Sequence, residues 1–471
     1  MTDGLTGYWY SRFLFERALA LMYLVAFLAA ANQFVPLLGE RGLEPVGPFV
    51  KAVPFRASPS LFFFAPHDIA FRIAAWIGVA ISCVLLFGYP LFRGWAASAA
   101  AWAALWVLYL SFVNIGQTFY GFGWETLLLE TGFLTIFAGG SATAPSMVVI
   151  WLWRWVLFRL MFGAGLIKMR GDSCWHDLSC LDYYFETQPM PNPPTWYFHW
   201  LPSSIHHAGV VFNHVAELLV PFGYFLWQPF AGIAGVITIL FQLVLIVSGN
   251  LSWLNWLTIV LAISTLSDRW LSWLPVTPPV LHSAGDLERA VVWAWAAVVG
   301  FLSVAPTLNM LSSQQMMNSS FDPLHLVNTY GAFGSITRTR NEIVIEGTDE
   351  ATPTSATVWR EYEFKGKPGD PSHRPPQVAP YHMRLDWLMW FAAMSTPNQH
   401  DWFPALLLKL LQGDRETLGL LRTNPFPEHP PMYVRAQYYE YHFTTPEERR
   451  QTGRWWRRTL IGSYYPAVSL K

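Results

Sequence analysis

The sequence has few charged side chains for its length. Charged residues make up 13% of its 471 residues and hydrophobic residues make up 53%, whereas a typical soluble domain carries about 25% charged residues. The charges are unevenly spread, because residues 1–307 hold 28 of the 61 and residues 308–471 hold the other 33. The formal net charge of −1 gives no basis for binding a phosphate backbone, so no nucleic-acid partner is predicted.

Long stretches contain no Asp, Glu, Lys or Arg at all. They include residues 18–39, 73–92, 94–124, 131–153 and 218–267. A helix that crosses the hydrocarbon core needs ~20 mostly apolar residues, and the backbone must satisfy its own hydrogen bonds there. A very apolar soluble core is the alternative, but a 50-residue run is too long for one core element. We therefore predict a helical membrane part.

Nine apolar segments predict an α-helical multi-pass bundle of about eight or nine spans at residues 1–307. The segments are roughly 13–34, 72–91, 95–113, 125–139, 146–168, 208–226, 229–248, 252–267 and 289–307. The segment 125–139 is short and is expected to be broken or re-entrant. Two polar connections, 35–71 and 169–207, interrupt the bundle.

The remaining residues, 308–471, have a different pattern. Alternation of polar and apolar residues predicts strands at Glu342–Glu346, Thr357–Phe364, Met432–Phe443 and Trp455–Ile461. Helical spacing of apolar residues occurs at Tyr381–Met394 and Trp402–Gln412. We therefore predict a small soluble α+β domain that follows the membrane bundle.

A charge within or beside a predicted span is costly unless it is paired or lines a cavity. Eight side chains are selected on this basis, four acids and four bases: Glu16, Glu125, Glu130, Glu217, Arg17, Arg154, Arg159 and Lys168. The equal numbers predict an ion-pair network that fixes helix packing. The same residues could border a polar cavity that binds a ligand, and the two interpretations are compatible.

Lys168 ends the apolar run of the fifth predicted span. Burial disfavours the ammonium form, so a lysine at such a boundary could act as a catalytic base or nucleophile. A lysine at a helix end can also extend its ammonium group towards the membrane surface without any chemical role. The spacing alone favours this second interpretation.

Only three cysteines are present, which excludes a disulfide-rich scaffold. Cys174 and Cys180 lie in the second polar connection, with a histidine between them. His199, His206 or His207 could complete a zinc site, but the spacing matches no zinc finger, so no metal is predicted. A structural disulfide is favoured if this connection faces an oxidising compartment.

Several longer motifs are spread along the chain, and they closely resemble those of the lipase maturation factor family. The motifs are Arg41–Leu43, Gly116–Glu125, Arg170–Trp175, Tyr183–Pro193, Asn213-His214 with Glu217-Leu218, Ser248–Trp256, Asn328–Gly334 and Arg384–Trp387. The positions selected within them are Asn213, His214, Asn250, Arg384, Asp386 and Trp387. The last three could hold the fold through a salt bridge and packing, or form part of a client surface.

The resemblance implies a membrane protein that helps secreted lipases fold and assemble, as a chaperone-like maturation factor rather than an enzyme. Family members lie in the endoplasmic reticulum membrane and act on dimeric lipases such as lipoprotein lipase. The family's C-terminal domain is associated with lipase binding, which would place the client on residues 308–471 and the bilayer around the bundle. No cofactor is implied. A composition rich in Ala, Trp and Arg also fits a bacterial member in the plasma (inner) membrane.

The membrane part more faintly resembles the vitamin K-dependent gamma-glutamyl carboxylase family. Its stretch Ala164–Lys168 is similar to the segment that carries that family's catalytic lysine. This resemblance implies a shared helical scaffold and an alternative function, an integral membrane enzyme that uses Lys168 in a polar intramembrane cavity. It does not imply carboxylation, because the rest of that family's active site is not recognisable in this sequence.

Overall fold

The structure, a computed structural model, describes residues 7–470. Up to residue 311 the regular elements of the described chain are helices, joined by loops. Its helices there are α1 (Trp9–Leu38), α2 (Val46–Ala52), α3 (Asp68–Phe87), α4 (Trp95–Ile115), α5 (Gly123–Thr135), α6 (Met147–Arg170), α7 (Cys180–Thr187), α8 (Thr195–His199), α9 (Ser203–His214), α10 (Val220–Gly223), α11 (Phe230–Ser248), α12 (Leu254–Ile263), α13 (Asp268–Leu271), α14 (Asp286–Leu302) and α15 (Val304–Leu311). A π-helical segment, Val215–Leu219, joins α9 to α10.

Six helical elements within the described range are long and apolar enough to cross a membrane. They are α1, α3, α4, α6, α11 and the consecutive pair α14–α15. Their outward faces carry exposed apolar side chains, such as Phe87 and Phe301, which suit contact with lipid. The prediction of an α-helical multi-pass membrane bundle is therefore confirmed.

Three of the nine predicted spans are not long single helices in the structure, and one of them, 125–139, was expected to be short. The segment 125–139 becomes α5, whose 13 residues are all buried, and 252–267 becomes α12, with 10 residues. A helix of 13 residues is about 20 Å long, less than the ~30 Å hydrocarbon core. The segment 208–226 is divided by the π-helical segment. These shorter helices lie among the long ones, and α5 packs against α1, α4, α6 and α12.

Beyond α15 a connector, residues 312–339, leads to an antiparallel sheet with the strand order β2-β1-β3-β4. The strands are β1 (Arg340–Thr348), β2 (Arg360–Glu361), β3 (Tyr433–Phe443) and β4 (Trp456–Val468). The helices of this part are α16 (Arg384–Ala392), α17 (Trp402–Leu411), α18 (Arg415–Leu418) and α19 (Pro446–Thr452). The predicted small α+β unit is confirmed, although the predicted strand at 357–364 retains only the two residues of β2 and β4 extends seven residues further than predicted.

The C-terminal part packs directly on the helical bundle. The side chain of Gln33 donates to the carbonyl of His382 at 2.6 Å and accepts from the backbone N–H of Arg384 at 3.0 Å. Asn250 Oδ1 accepts from two further backbone N–H groups, those of Val378 at 2.8 Å and Ala379 at 2.9 Å. These side chains satisfy backbone groups of the C-terminal part, so the two regions meet at a buried polar junction.

Candidate functional site

A cavity of about 500 Å³ lies where the bundle, the second polar connection and the C-terminal part meet. This volume is within the range of about 300–1,000 Å³ that is usual for small-molecule sites. One face of α6 forms a wall, through Met161, Ala164 and Lys168. Trp387 and Phe391 of α16 form another wall, so both parts of the chain are needed to complete the cavity.

Lys168 lines this cavity and is only 5% exposed. Its Nζ donates to Glu217 Oε1 at 2.6 Å, to Glu217 Oε2 at 2.7 Å and to Asn213 Oδ1 at 2.8 Å. Asn213 Nδ2 in turn donates to Glu217 Oε2 at 3.1 Å. Because an ammonium group has three donors, every N–H of Lys168 already has an acceptor. The three residues form a closed cluster with no net charge.

The π-helical segment places Glu217 beside Lys168. Pro221 has no backbone N–H, so the carbonyl of residue 217 lacks its usual helical partner, which permits the wider turn. A Cβ on Gly165 would lie 2.7 Å from Leu218 Cδ2 and 3.0 Å from Glu217 Cβ. Glycine at this position of α6 therefore allows the two helices to approach. Single π-helical turns are frequent at functional sites.

A second polar group in the cavity wall consists of Gln242 on α11 and Asn255 on α12. Asn255 Nδ2 donates to Gln242 Oε1 at 2.7 Å, and Gln242 Nε2 has Met161 Sδ as its acceptor at 3.4 Å. Met161 and Lys168 are two helical turns apart on α6, which separates the two polar groups by about 10 Å. The lining between them is apolar at Ala164.

The predicted ion-pair network exists only in part. Three of the four pairs form among these residues: Glu130 with Arg159 in the buried interior, Lys168 with Glu217, and Glu16 Oε2 with Arg17 Nη2 at 3.5 Å. The other two residues, Glu125 and Arg154, do not pair with each other. Arg154 donates to the carbonyls of Ser264 and Tyr224, at 3.0 Å and 3.1 Å, instead of to a carboxylate. Its charge is satisfied by helix-end carbonyls, which carry partial negative charge.

Glu125 has its basic partner in the C-terminal part instead of in the bundle. Arg384 Nη1 donates to Glu125 Oε1 at 2.7 Å, and its guanidinium lies 3.5 Å from the centroid of the Tyr120 ring. His382 Nδ1 is 3.6 Å from the same carboxylate oxygen. Burial lowers the pKa of the His382 imidazole to about 4, although the neighbouring Glu125 opposes this shift.

The other motif positions mostly hold backbone segments in place. Asp386 does not pair with Arg384, because its carboxylate accepts from the backbone N–H groups of Gly366 and Lys367 at 2.5 Å and 3.0 Å. Burial raises the pKa of this carboxyl group. His214 Nε2 lies 2.9 Å from the carbonyl of Trp175. Of the motif positions, Asn213 and Trp387 reach the cavity, and Asn250 secures the junction described above.

Cys174 and Cys180 are joined by a disulfide with a Cα–Cα distance of 4.7 Å. Both are buried close to the cavity, since the intervening Trp175 is a lining residue whose ring centroid lies 5.0 Å from Lys168 Nζ. His206 bonds to Asp182 at 2.7 Å instead of approaching the cysteines. Within residues 7–470 no group of His, Cys, Asp and Glu could hold a metal ion.

Gln242 was missed by prediction from the sequence, and Asn255 was noted only as a member of the motif Ser248–Trp256. Both lie in the run 218–267, which was selected for its lack of charge, and uncharged amides do not interrupt such a run. A search for Asn and Gln inside apolar segments would have found them, because buried amides need hydrogen-bond partners. Arg12 was also missed; it is 1% exposed and donates to the carbonyl of Ala138 at 3.1 Å.

Comparison with known proteins covers both parts of the chain. Residues 10–273 match the lipase maturation factor transmembrane domain, and residues 326–466 match the lipase maturation factor C-terminal domain. Lipase maturation factor 1 of Mus musculus is 44% identical over 510 residues, which cover 98% of this chain and 88% of that protein. The Homo sapiens protein of the same name is 44% identical over 508 residues, with the same two coverages.

A more distant relative is lipase maturation factor 2 of Xenopus laevis, which is 29% identical over 584 residues, or 95% of this chain and 81% of that protein. No solved structure gives a significant match. The transmembrane match and the six candidate spans together identify an integral membrane protein. The chain therefore belongs to the lipase maturation factor family.

Proposed function

We propose that this chain is a membrane-embedded maturation factor that assists the folding and assembly of secreted lipases. The observation that carries this proposal is the 44% identity, over 98% of the chain, to a protein named lipase maturation factor 1. The similarity extends over both matched domains, whose ranges contain Glu125 and Arg384, two residues that join the domains in this chain. The proposed activity is chaperone-like, and the client is held by the C-terminal part.

Strand β4 is the surface proposed to contact the client. It lies at one edge of the sheet, pairs with β3 on one side only, and has 13 residues. Leu460 and Ile461, near its middle, are 52% and 53% exposed. An exposed edge strand offers unpaired backbone donors and acceptors to an extended segment of another chain, and its side chains add specificity. An incompletely folded lipase would supply such a segment.

The disulfide supports placing this surface in an oxidising compartment, such as the lumen of the endoplasmic reticulum or a bacterial periplasm. The connection that contains the disulfide touches the sheet directly. Glu186 accepts from the backbone N–H of Phe443 at 2.5 Å, and Trp196 Nε1 donates to the carbonyl of Thr444 at 2.9 Å. The sheet therefore faces the same compartment as the disulfide, which is where a secreted lipase would fold.

The test is a complementation assay in cells that lack their own maturation factor and express a dimeric secreted lipase. The measured quantity is secreted lipase activity per amount of secreted lipase protein. The full chain is expected to restore it. Leu460→Lys combined with Ile461→Lys is expected to reduce it by roughly tenfold, the effect of about 1.4 kcal/mol of lost client binding.

The matched control is Val358→Lys, which makes the same apolar-to-charged change at a 70%-exposed position beside the opposite edge of the sheet. It should leave maturation unchanged. Failure of the full chain to raise lipase activity would contradict the proposed function. Equal losses in the β4 and Val358 variants would contradict the proposed contact surface but not the function.

A second candidate function, an integral membrane enzyme, is favoured by one observation: Lys168 lies in the wall of a cavity. Its hydrogen bonds to Glu217 and Asn213 would have to open before Nζ could act as a base or nucleophile. Lys168→Arg preserves the positive charge and the donors but not the amine chemistry. Unchanged maturation activity and unchanged membrane chemistry in a folded Lys168→Arg variant would exclude this second function, and loss of either with the fold intact would support it.

A further inference from the structure

The cavity described above has the features of a ligand site. What the cavity binds does not depend on whether the chain acts on lipases. We propose that it binds an uncharged lipid with one apolar chain and a head group that carries hydroxyl or ester oxygens. The lining is closed by residues from both parts of the chain, including Trp124 from the bundle and Trp387 from α16. The polar groups in the wall determine which head group fits.

Charge complementarity selects an uncharged ligand. Lys168 and Glu217 are the two charged residues in the cavity wall formed by the described part of the chain. Their charges cancel, and every donor of the Lys168 ammonium is already bonded. A carboxylate, phosphate or ammonium group that entered would lose its hydration without finding a free counter-charge, which is strongly unfavourable.

The amide pair supplies the hydrogen bonds for a neutral head group. Gln242 is 4% exposed and Asn255 is 3% exposed, so neither is satisfied by bulk water. The Nε2 group of Gln242 has only the sulfur of Met161 as acceptor, at 3.4 Å, and a thioether is a weak acceptor. A ligand oxygen would be a better partner. The Oδ1 atom of Asn255 can accept a hydrogen bond from a ligand hydroxyl.

Most of the remaining lining is apolar and suits an apolar chain. Trp124 and Trp387 stand against each other with ring centroids 4.9 Å apart, and both line the cavity. Met317 and Phe391, also in the lining, are 45% and 40% exposed and give the cavity an apolar rim. Burial of a lipid chain against these apolar side chains contributes about 0.8 kcal/mol per CH₂ group.

The experiment uses the full chain reconstituted in phosphatidylcholine vesicles with a photoreactive, alkyne-tagged monoacylglycerol. After illumination, the labelled peptides are identified by mass spectrometry. We expect saturable labelling on α6, α12 and α16, which line the cavity. Excess untagged monoacylglycerol should abolish this labelling, whereas the fatty acid of the same chain length, which carries a carboxylate, should compete poorly.

Ala164→Trp is designed to fill the cavity, because Ala164 is a lining residue on α6. It should remove the labelling of these three helices. Ala100→Trp makes the same change at an exposed position on α4, outside the lining, and should leave the labelling intact. Asn255→Leu should weaken labelling by removing the acceptor without filling the space.

Labelling spread over the lipid-facing helices, or equal competition by the fatty acid, would overturn the proposal. Unchanged labelling in a folded Ala164→Trp variant would also overturn it. If that variant does not fold, the peptide map of the unaltered protein decides alone. None of these outcomes depends on lipase maturation, so failure here and failure of the proposed function are distinguishable.

Discussion

Arg384 on α16 and Glu125 in the first turn of α5 form a fully buried ion pair of 2.7 Å across 259 positions of the sequence. Tyr109 donates a further hydrogen bond to the Glu125 carboxylate, and Arg384 also donates to the carbonyl of Phe119 at 2.8 Å. The pair therefore belongs to a hydrogen-bonded network at the junction of the two parts. Loss of one partner would leave the other charge buried and unpaired.

Arg384→Met is expected to lower the free energy of unfolding by about 3–5 kcal/mol, because it leaves the Glu125 carboxylate buried without its base. The measurement is the thermal unfolding midpoint of the detergent-solubilised chain. Arg72→Met is the control, since Arg72 pairs with Glu416 between the same two parts but both side chains are about half exposed. This control should lower the free energy of unfolding by at most about 1 kcal/mol. Equal decreases in the unfolding midpoint of the Arg384→Met and Arg72→Met variants would show that burial does not determine the strength of these ion pairs.

Gly165→Ala should destabilise the bundle by about 1–3 kcal/mol, because the added Cβ would lie 2.7 Å from Leu218 Cδ2 and force the π-helical segment away from α6. The same assay measures it. Gly300→Ala is the matched control on α14, where an added Cβ meets nothing within 4 Å. It should be neutral or stabilise by up to about 1 kcal/mol. An unchanged unfolding midpoint in the Gly165→Ala variant would show that the close contact between α6 and the π-helical segment is not required.

The buried His382 predicts a loss of stability in acid. Its pKa of about 4 in the folded protein lies below the ordinary value of about 6.5 expected in the unfolded chain. Between these values the unfolded state binds more protons, so this contribution to stability is complete above about pH 6.5 and decreases as the pH falls towards 4. The loss should be roughly 2 kcal/mol at about pH 5.

His382→Phe removes this titration and keeps a ring against Phe122 and Trp124, whose centroids lie 4.8 Å and 5.1 Å from that of His382. Unfolding midpoints are compared at about pH 7 and about pH 5 for both proteins. The acid-induced decrease should be smaller in the variant. An identical decrease in the two proteins would show that other groups account for the acid sensitivity.

Thiol labelling should detect one cysteine in the native protein without reductant, namely Cys83, which is free and partly buried. Reduction and denaturation should expose all three. Cys174→Ser is expected to lower the free energy of unfolding by about 2 kcal/mol, because the bridge closes only a short loop. Two or three reactive thiols in the native, unreduced protein would contradict the bridge.

The sequence predicted the fold class well, because charge-free runs and strand alternation are local signals. It predicted the length of α12 less well, since the apolar segment 252–267 becomes a helix of 10 residues, whereas the segment that becomes α5 was expected to be short. Whether such a helix faces lipid or protein depends on the neighbouring helices, which local composition does not record.

The candidate site could be predicted only as a list of residue types. Lys168 and Glu217 were both selected from the sequence, but not their pairing, since the π-helical segment that aligns them depends on the packing of Gly165. Glu125 was expected to pair within the bundle, and its partner Arg384 lies in the other part of the chain. Counting acids and bases in the spans could not reveal a partner outside them.

The polar junction also fixes the position of β4, the proposed client surface, relative to the bundle. Gln33, Asn250 and Glu125 fix the C-terminal part at several points on the bundle, and the bundle is itself oriented by the bilayer. The edge of β4 is therefore held in one position relative to the bundle. Under the proposed function, a secreted chain would meet this strand in one orientation, which the anchored bundle determines.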